Sequence, residues 1–183
     1  MALGATICKL ELSVADMDRH YYQSHLLTLA QHPSENSERL MLRVLAFVMF
    51  ADDSLAFGRG VSTDDEPDLW VRDLTGHIQC WVDLGMPDDK RIRKACGRAG
   101  LVEILTYGGT KASLWYERMA AELERFDNLR IWSVSPDDSR ALARLANRAM
   151  KLDASIQDGQ ILVAGNSDSV QIEPVVVKER RAR

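Results

Sequence analysis

Two alternating runs flank the segment Leu74-Thr75-Gly76, and they restrict what this chain can fold into more than any other feature. Asp68-Leu69-Trp70-Val71-Arg72 and His77-Ile78-Gln79-Cys80-Trp81-Val82-Asp83 carry aromatic and β-branched residues at period two, as antiparallel strands joined by a turn do. With Thr75-Gly76 as a two-residue loop, Asp68 falls opposite Asp83, Trp70 opposite Trp81 and Arg72 opposite Gln79 on one face. Leu69, Val71, Ile78, Cys80 and Val82 then take the other face. Directly opposed Cβ atoms lie roughly 4.5 to 5.5 Å apart, a separation at which like charges destabilise the sheet. A divalent cation would relieve Asp68 and Asp83, since magnesium takes oxygen ligands and is often held by one or two carboxylates with waters and phosphates. Manganese is its substitute. A bulge or a different turn would instead send the two aspartates to opposite faces or into solvent.

The rest of the chain supplies a scaffold for this hairpin. Ala5 to Val14 alternates as a half-buried strand, and after the Asp16-Met17-Asp18 turn Tyr21 to Ala30 returns as a second, broken by His32-Pro33. Ser34 is placed to cap a buried helix over Glu35 to Ala51. A short strand from Leu55 to Gly60 and the acidic loop Asp64-Asp65-Glu66-Pro67 lead into the hairpin. Beyond it come a helix from Asp89 to about Ala99, a strand from Leu101 to Tyr107, a helix from Ala112 to Phe126 and a strand from Leu129 to Val134. Ser135 and Pro136 open a helix extending to about Ala149. Asp158-Gly159 is the best hairpin turn in the chain, between strands Lys151 to Gln157 and Gln160 to Ala164, and Asn166-Ser167 turns toward a last strand ending at Val177. The basic tail from Lys178 to Arg183 is expected to fray.

With 183 residues, no repeat and no long linker, one α+β domain over residues 1–183 is the economical expectation. A net charge of −4 argues against a broad basic surface for nucleic acid, although a local patch fits inside an acidic average. No apolar stretch approaches a membrane span, and Met-Ala-Leu-Gly-Ala lacks the regions of a signal peptide, so cytoplasm without membrane association is the expected setting. Cys8, Cys80 and Cys96 have no metal-ligand spacing and read as small reduced core residues. His20, His25, His32 and His77 form no pair at metal spacing, and no serine or cysteine has a nucleophile's context.

Two resemblances emerge from these residues. The helix-strand-strand-strand-helix-strand order from Glu35 to Tyr107, with Pro67-Asp68 followed by Asp83-Leu84-Gly85, resembles the PD-(D/E)XK nuclease core. More specifically, nearly the whole chain resembles the YaeQ family of bacterial proteins. The residues that carry this are His32-Pro33-Ser34-Glu35, Glu38-Arg39, Asp64-Asp65-Glu66-Pro67, Leu84-Gly85, Arg91-Ile92, Lys94-Ala95-Cys96 and Ile156-Gln157-Asp158-Gly159. That family looks like a variant of the nuclease fold. The resemblance implies a nuclease-like core with a mixed sheet flanked by helices, an N-terminal β-hairpin and a C-terminal β meander. It also implies that Asp68 and Asp83 bind the metal and that Glu38, on the preceding helix, joins them.

The departure from the pattern is Gly85, which stands where the nuclease motif usually has its lysine. Some superfamily members move that lysine to the following helix, which makes Lys94 the substitute and Arg91 a second choice. On the helical wheel Lys94 lies roughly 150° from the apolar stripe of Ile92, Ala95, Cys96 and Ala99, whereas Arg91 sits nearer its edge. Two functions follow. One is a magnesium-dependent phosphodiesterase acting on nucleic acid, with Asp68, Asp83 and Glu38 at the metal and Lys94 or Arg91 stabilising the transition state. The other is a module that keeps the fold, binds protein or nucleic acid and has lost turnover with Gly85. Trp70 and Trp81, on the aspartates' face, read either as a stacking platform for bases or as cross-strand packing.

Overall fold

The computed structural model describes residues 4–59 and 65–181; Met1, Ala2, Leu3, Gly60, Asp64 and Arg183, which figure in the sequence reading, lie outside the described residues. Along the chain run β1 (Thr6–Asp16), β2 (Tyr21–Gln31), α1 (Ser37–Met49), β3 (Leu55–Phe57), β4 (Leu69–Arg72) and β5 (Ile78–Leu84). Next come α2 (Asp89–Arg98), β6 (Ala99–Thr106), α3 (Thr110–Leu123), β7 (Leu129–Ser133) and α4 (Pro136–Ala143). The remainder forms β8 (Ala149–Gln157), β9 (Gln160–Ala164), β10 (Ser169–Ile172) and β11 (Val175–Lys178). Among the described residues this is a mixed α+β fold with four helices and two mixed sheets, which divides into two compact units. None of the described helices is long and apolar enough to cross a membrane.

The first unit takes the chain through Ala51 together with Asp137–Pro174. Its sheet has the order β10-β9-β8-β1-β2, with β1 antiparallel to β2 and parallel to β8. Period-two alternation buries Cys8, Leu10, Leu12 and Val14 of β1 and Met150, Leu152, Ala154 and Ile156 of β8, as a sheet with one solvated face requires. Helix α1 is capped by Asn36, whose Oδ1 accepts the Arg39 N–H at 2.8 Å, not by Ser34. The Ser34 hydroxyl is engaged by the His32 ring at 2.6 Å, which removes it from the helix. Buried Arg43 is explained by Glu35, whose carboxylate meets it at 3.0 Å, and by the Ala30 carbonyl at 3.2 Å. The Asp158-Gly159 turn has both residues left-handed, at φ 51° and 76°, the pair a type I′ turn needs, and the Asp18 carboxylate accepts both of its N–H groups. Helix α4 ends earlier than the sequence suggests because the chain must turn into β8, which begins pairing with β1 at Ala149.

The second unit takes Asp52–Pro136 and the segment from Val175 onward. Its sheet has the order β11-β7-β6-β5-β4-β3. Strands β3, β4 and β5 form an antiparallel meander, and β5, β6 and β7 run parallel, with α2 and α3 in the crossovers. The core gathers Ile78, Trp81, Ile92, Ala95, Val102, Ile104, Trp115, Leu123, Leu129 and Ile131. The expected last strand is in fact two, β10 and β11, because Pro174 breaks the run and the two pieces enter different sheets. The basic tail is not frayed over its described part. Lys178 is buried and donates to the carbonyls of Phe126, Leu129 and Glu179 at 3.1 to 3.2 Å, and Arg180 pairs with buried Glu103.

Candidate functional site

The hairpin of β4 and β5 has the register expected over its central pairs: Leu69 faces Val82, Trp70 faces Trp81 and Val71 faces Cys80. Its far end differs. Asp73 N–H donates to the His77 carbonyl at 3.0 Å, so the loop holds three residues, Leu74-Thr75-Gly76, instead of two. An extra loop residue shifts the pairing by one, and a bulge shifts it back: Arg72 pairs with Ile78, not with Gln79. The two irregularities cancel before Val71, which is why the register beyond survives. Ile78 is moved by the same bulge into the core cluster with Trp81, away from the face shared by Leu69 and Val82.

The loop itself is organised by Asp73, whose Oδ1 accepts the Thr75 N–H at 2.8 Å, the Thr75 hydroxyl at 2.7 Å and the His77 N–H at 3.0 Å. The Thr75 hydroxyl first, then the His77 and Thr75 backbone donors, hold this carboxyl below its ordinary value of 3.8. A depressed carboxyl adds stability above its unfolded value and loses it as the pH falls through the folded one. Asp73→Asn keeps the acceptor and removes the charge. It is therefore expected to unfold in less urea than the wild type at pH 7, with the two midpoints converging as the solution is taken well below pH 3.8.

At the other end of the hairpin Asp68, just before β4, and Asp83, in β5, are both buried. Asp68 Oδ2 accepts the Leu84 N–H at 2.8 Å. Asp83 is clasped by Arg91 of α2: Nε donates to Oδ2 and Nη2 to Oδ1, each at 2.7 Å. Helix α2 is fixed for this by its cap Asp88, which accepts the Arg91 N–H at 2.8 Å. Arg91 Nη2 also donates to the Glu66 carbonyl at 2.9 Å. Lys94 turns to the Asp65 carboxylate and Arg98 Nη1 reaches the Asp65 carbonyl at 3.4 Å. Glu66 thus reaches the site through its backbone, while its side chain accepts the Arg59 N–H at 3.0 Å.

Two aromatic rings lie on this face. Trp81 is fully buried, with the Arg91 and Arg98 guanidinium carbons 5.9 and 5.8 Å from its ring centroid, and its Nε1 finds no acceptor among the described residues. Trp70 is half-buried under Arg72, whose guanidinium carbon is 4.1 Å from the ring centroid. Gly85 has φ 88°, and its N–H donates to the Leu105 carbonyl at 2.9 Å. Space is not what excludes a side chain there, since an added Cβ would meet only Tyr107 at 3.8 Å; the left-handed backbone disfavours a lysine. Glu38 belongs to the first unit, where its Oε1 accepts the Ser139 hydroxyl at 2.6 Å.

A magnesium ion at Asp83 would have to compete with Arg91. Both oxygens of Asp83 are taken by a guanidinium and one oxygen of Asp68 by a backbone N–H. Among the described residues no three His, Cys, Asp or Glu side chains gather closely enough to hold a metal. Burial also disfavours the thiolate form of the three cysteines. Burial pushes the Cys80 thiol up to about 11 and the Cys96 thiol up to about 12, and it raises buried Cys8 as well. The residue that sequence reasoning missed is Glu103, a buried acid within apolar β6, which accepts the Trp132 Nε1–H at 2.8 Å.

Comparison with known proteins gives a consistent result. A family model described as YaeQ protein matches residues 1–174. The chain is 41% identical over 172 residues to the uncharacterized protein YaeQ of Escherichia coli K12, covering 94% of this chain and 95% of that one. The Salmonella typhi protein of the same name is 41% identical over 173 residues. The crystal structure of the YaeQ protein from Xanthomonas axonopodis pv. citri superposes with a TM-score of 0.93 at 48% identity, covering 96% of this chain and 99% of that one. That from Pseudomonas syringae gives 0.91 at 31% identity, with 97% and 98% covered.

Proposed function

This chain belongs to the YaeQ family, and from that premise we propose that it is a variant of the PD-(D/E)XK scaffold that binds a nucleic-acid strand without cleaving it. The chain order α1-β3-β4-β5-α2-β6, with an antiparallel meander followed by a parallel crossover through α2, supports the scaffold. One observation carries the loss of turnover: the Arg91 fork occupies both oxygens of Asp83. A fixed guanidinium neutralises the buried carboxylate as a hard cation would, but it carries no water to activate. Support for strand binding comes from α2, which has five cations against one acid in an otherwise acidic chain, and from half-buried Trp70, which carries Arg72 over its ring.

The hydrolase reading keeps one specific observation in its favour, the burial of Asp68 and Asp83 at the same end of one hairpin. In that reading Asp68, Asp83 and Glu38 hold magnesium or manganese and Lys94 stabilises the transition state. A single set of measurements separates the two. Magnesium and manganese are titrated calorimetrically into the wild type and Asp83→Asn, and both proteins are incubated with single-stranded and duplex DNA and RNA. The expected result is strand binding that is indifferent to divalent cations, with no shortening of the strand. Metal-dependent cleavage that disappears in Asp83→Asn would reinstate the hydrolase, and an absence of nucleic-acid binding would leave a protein partner.

A further inference from the structure

The cations of α2 are not spread evenly around the helix. Arg91, Lys94 and Arg98 recur at i, i+3 and i+7, so they share one face over about 10 Å of helix. Like charges at this spacing destabilise a helix unless something negative lies against them. Here that something is the two-residue segment Asp65-Glu66, which contributes the Glu66 carbonyl to Arg91, the Asp65 carboxylate to Lys94 and the Asp65 carbonyl to Arg98. We propose that Arg91, Lys94 and Arg98 form a phosphate-binding row for single-stranded nucleic acid, and that the Asp65-Glu66 segment covers the row as a built-in competitor which the strand displaces.

This inference rests on the strand-binding reading above and names both the contacts and their regulation. The two layers of the row differ in how readily they exchange. Arg91 is anchored beneath by Asp83, whose side chain is only 3% exposed, and that pair stays in place. The Lys94–Asp65 pair lies outside it, with the Asp65 side chain 83% exposed, and exposed pairs of this kind contribute little to stability. A phosphate can therefore replace Asp65 without disturbing the fold. Complementarity of charge is evident in Asp65 itself: its hydrogen bond to Lys94, together with the Lys94 and Arg98 charges, holds its carboxyl below the ordinary value. Trp81, under Arg91 and Arg98 and with an Nε1–H that lacks an acceptor among the described residues, places a further buried donor beside the row.

The test measures the affinity of oligothymidylate for the wild type, Asp65→Asn, Lys94→Ala and Asp65→Asn/Lys94→Ala by fluorescence anisotropy at low salt. Asp65→Asn should bind about three- to fivefold more tightly than the wild type, the size expected from releasing one exposed ion pair. The gain should vanish when Lys94 is also removed, and Lys94→Ala alone should flatten the salt dependence of binding by about 0.7 in logarithmic slope. Circular dichroism of each variant establishes that it is folded. If the wild type binds and Asp65→Asn binds no better, or Lys94→Ala binds equally well, the competitor is refuted while strand binding stands. If no variant binds the strand, both readings fall together. Polyglutamate serves as the contrasting probe: a gain for it and not for oligothymidylate would assign the row to an acidic protein segment and overturn the proposal.

Discussion

Replacing Arg91 by alanine is expected to destabilise the protein by about 3 kcal/mol, the order found when one member of a buried ion pair is removed. The reason lies in what remains. Asp83 is buried in β5 between neighbouring strands, and its two oxygens lose three things at once: a charge partner and two hydrogen bonds of 2.7 Å. Glu66 loses the donor to its carbonyl in the same step, so the segment before Asp68 loosens as well. Because Arg91 keeps about a quarter of its side chain exposed, the lower part of the range measured for fully buried pairs is the appropriate one. Urea denaturation of the wild type, Arg91→Ala and the double variant Asp83→Asn/Arg91→Met measures the effect. The double variant should recover most of the loss, since it removes the orphaned charge along with its partner. Equal loss in both variants would mean that Arg91 contributes through packing on Trp81, not through Asp83. A second consequence concerns chemistry: with the guanidinium gone, Asp83 is left as a buried carboxylate without its charge partner, so manganese should stabilise Arg91→Ala more than it stabilises the wild type.

The sequence makes the hairpin legible and hides what secures it. Period-two alternation and the opposed tryptophans carry enough information to set Leu69 against Val82 and Trp70 against Trp81. The loop length was not readable, because a three-residue loop and a one-residue bulge produce the same central register as a two-residue loop, and only Arg72, Ile78 and Gln79 differ. On α2 the wheel leaves Arg91 beside the apolar edge and Lys94 away from it, and the contacts follow that geometry, Arg91 meeting Asp83 and Lys94 meeting Asp65. Glu103 was lost inside an apolar run because its partners are distant in sequence: Trp132 on β7 and Arg180 in the tail. The same distance misled the reading of the tail as frayed. A basic terminus is normally solvated, and nothing local reveals that a buried carboxylate on β6 requires one of its arginines. For Glu38 the resemblance implies a ligand, and its bond to the Ser139 hydroxyl, 101 residues away, could not have been found from spacing alone.

The position of Asp68 depends on a glycine that no motif singles out. Gly58 follows β3, and its N–H donates to the Asp68 carbonyl at 2.9 Å, extending the ladder in which Phe57 faces Leu69. A Cβ at Gly58 would lie 1.9 Å from the Pro67 carbonyl oxygen and 3.2 Å from its carbon, a clash with main chain that no rotamer relieves. Alanine there must push the Pro67-Asp68 backbone away from β3, which breaks the Gly58–Asp68 hydrogen bond and draws Asp68 off the Leu84 N–H. Gly58→Ala should therefore cost about 3 kcal/mol, at the upper end for overpacking because the obstructing atoms are backbone. Gly97→Ala is the control: that residue lies in α2 with nothing within 4 Å of an added Cβ, so alanine should stabilise the protein by about 0.8 kcal/mol through helix propensity. Thermal or urea unfolding of the two variants gives opposite signs if the approach of β3 to Pro67 sets the site. A Gly58→Ala protein as stable as the wild type would show that the Pro67-Asp68 backbone yields freely, and a backbone that yields freely could not hold Asp68 in a fixed relation to Asp83.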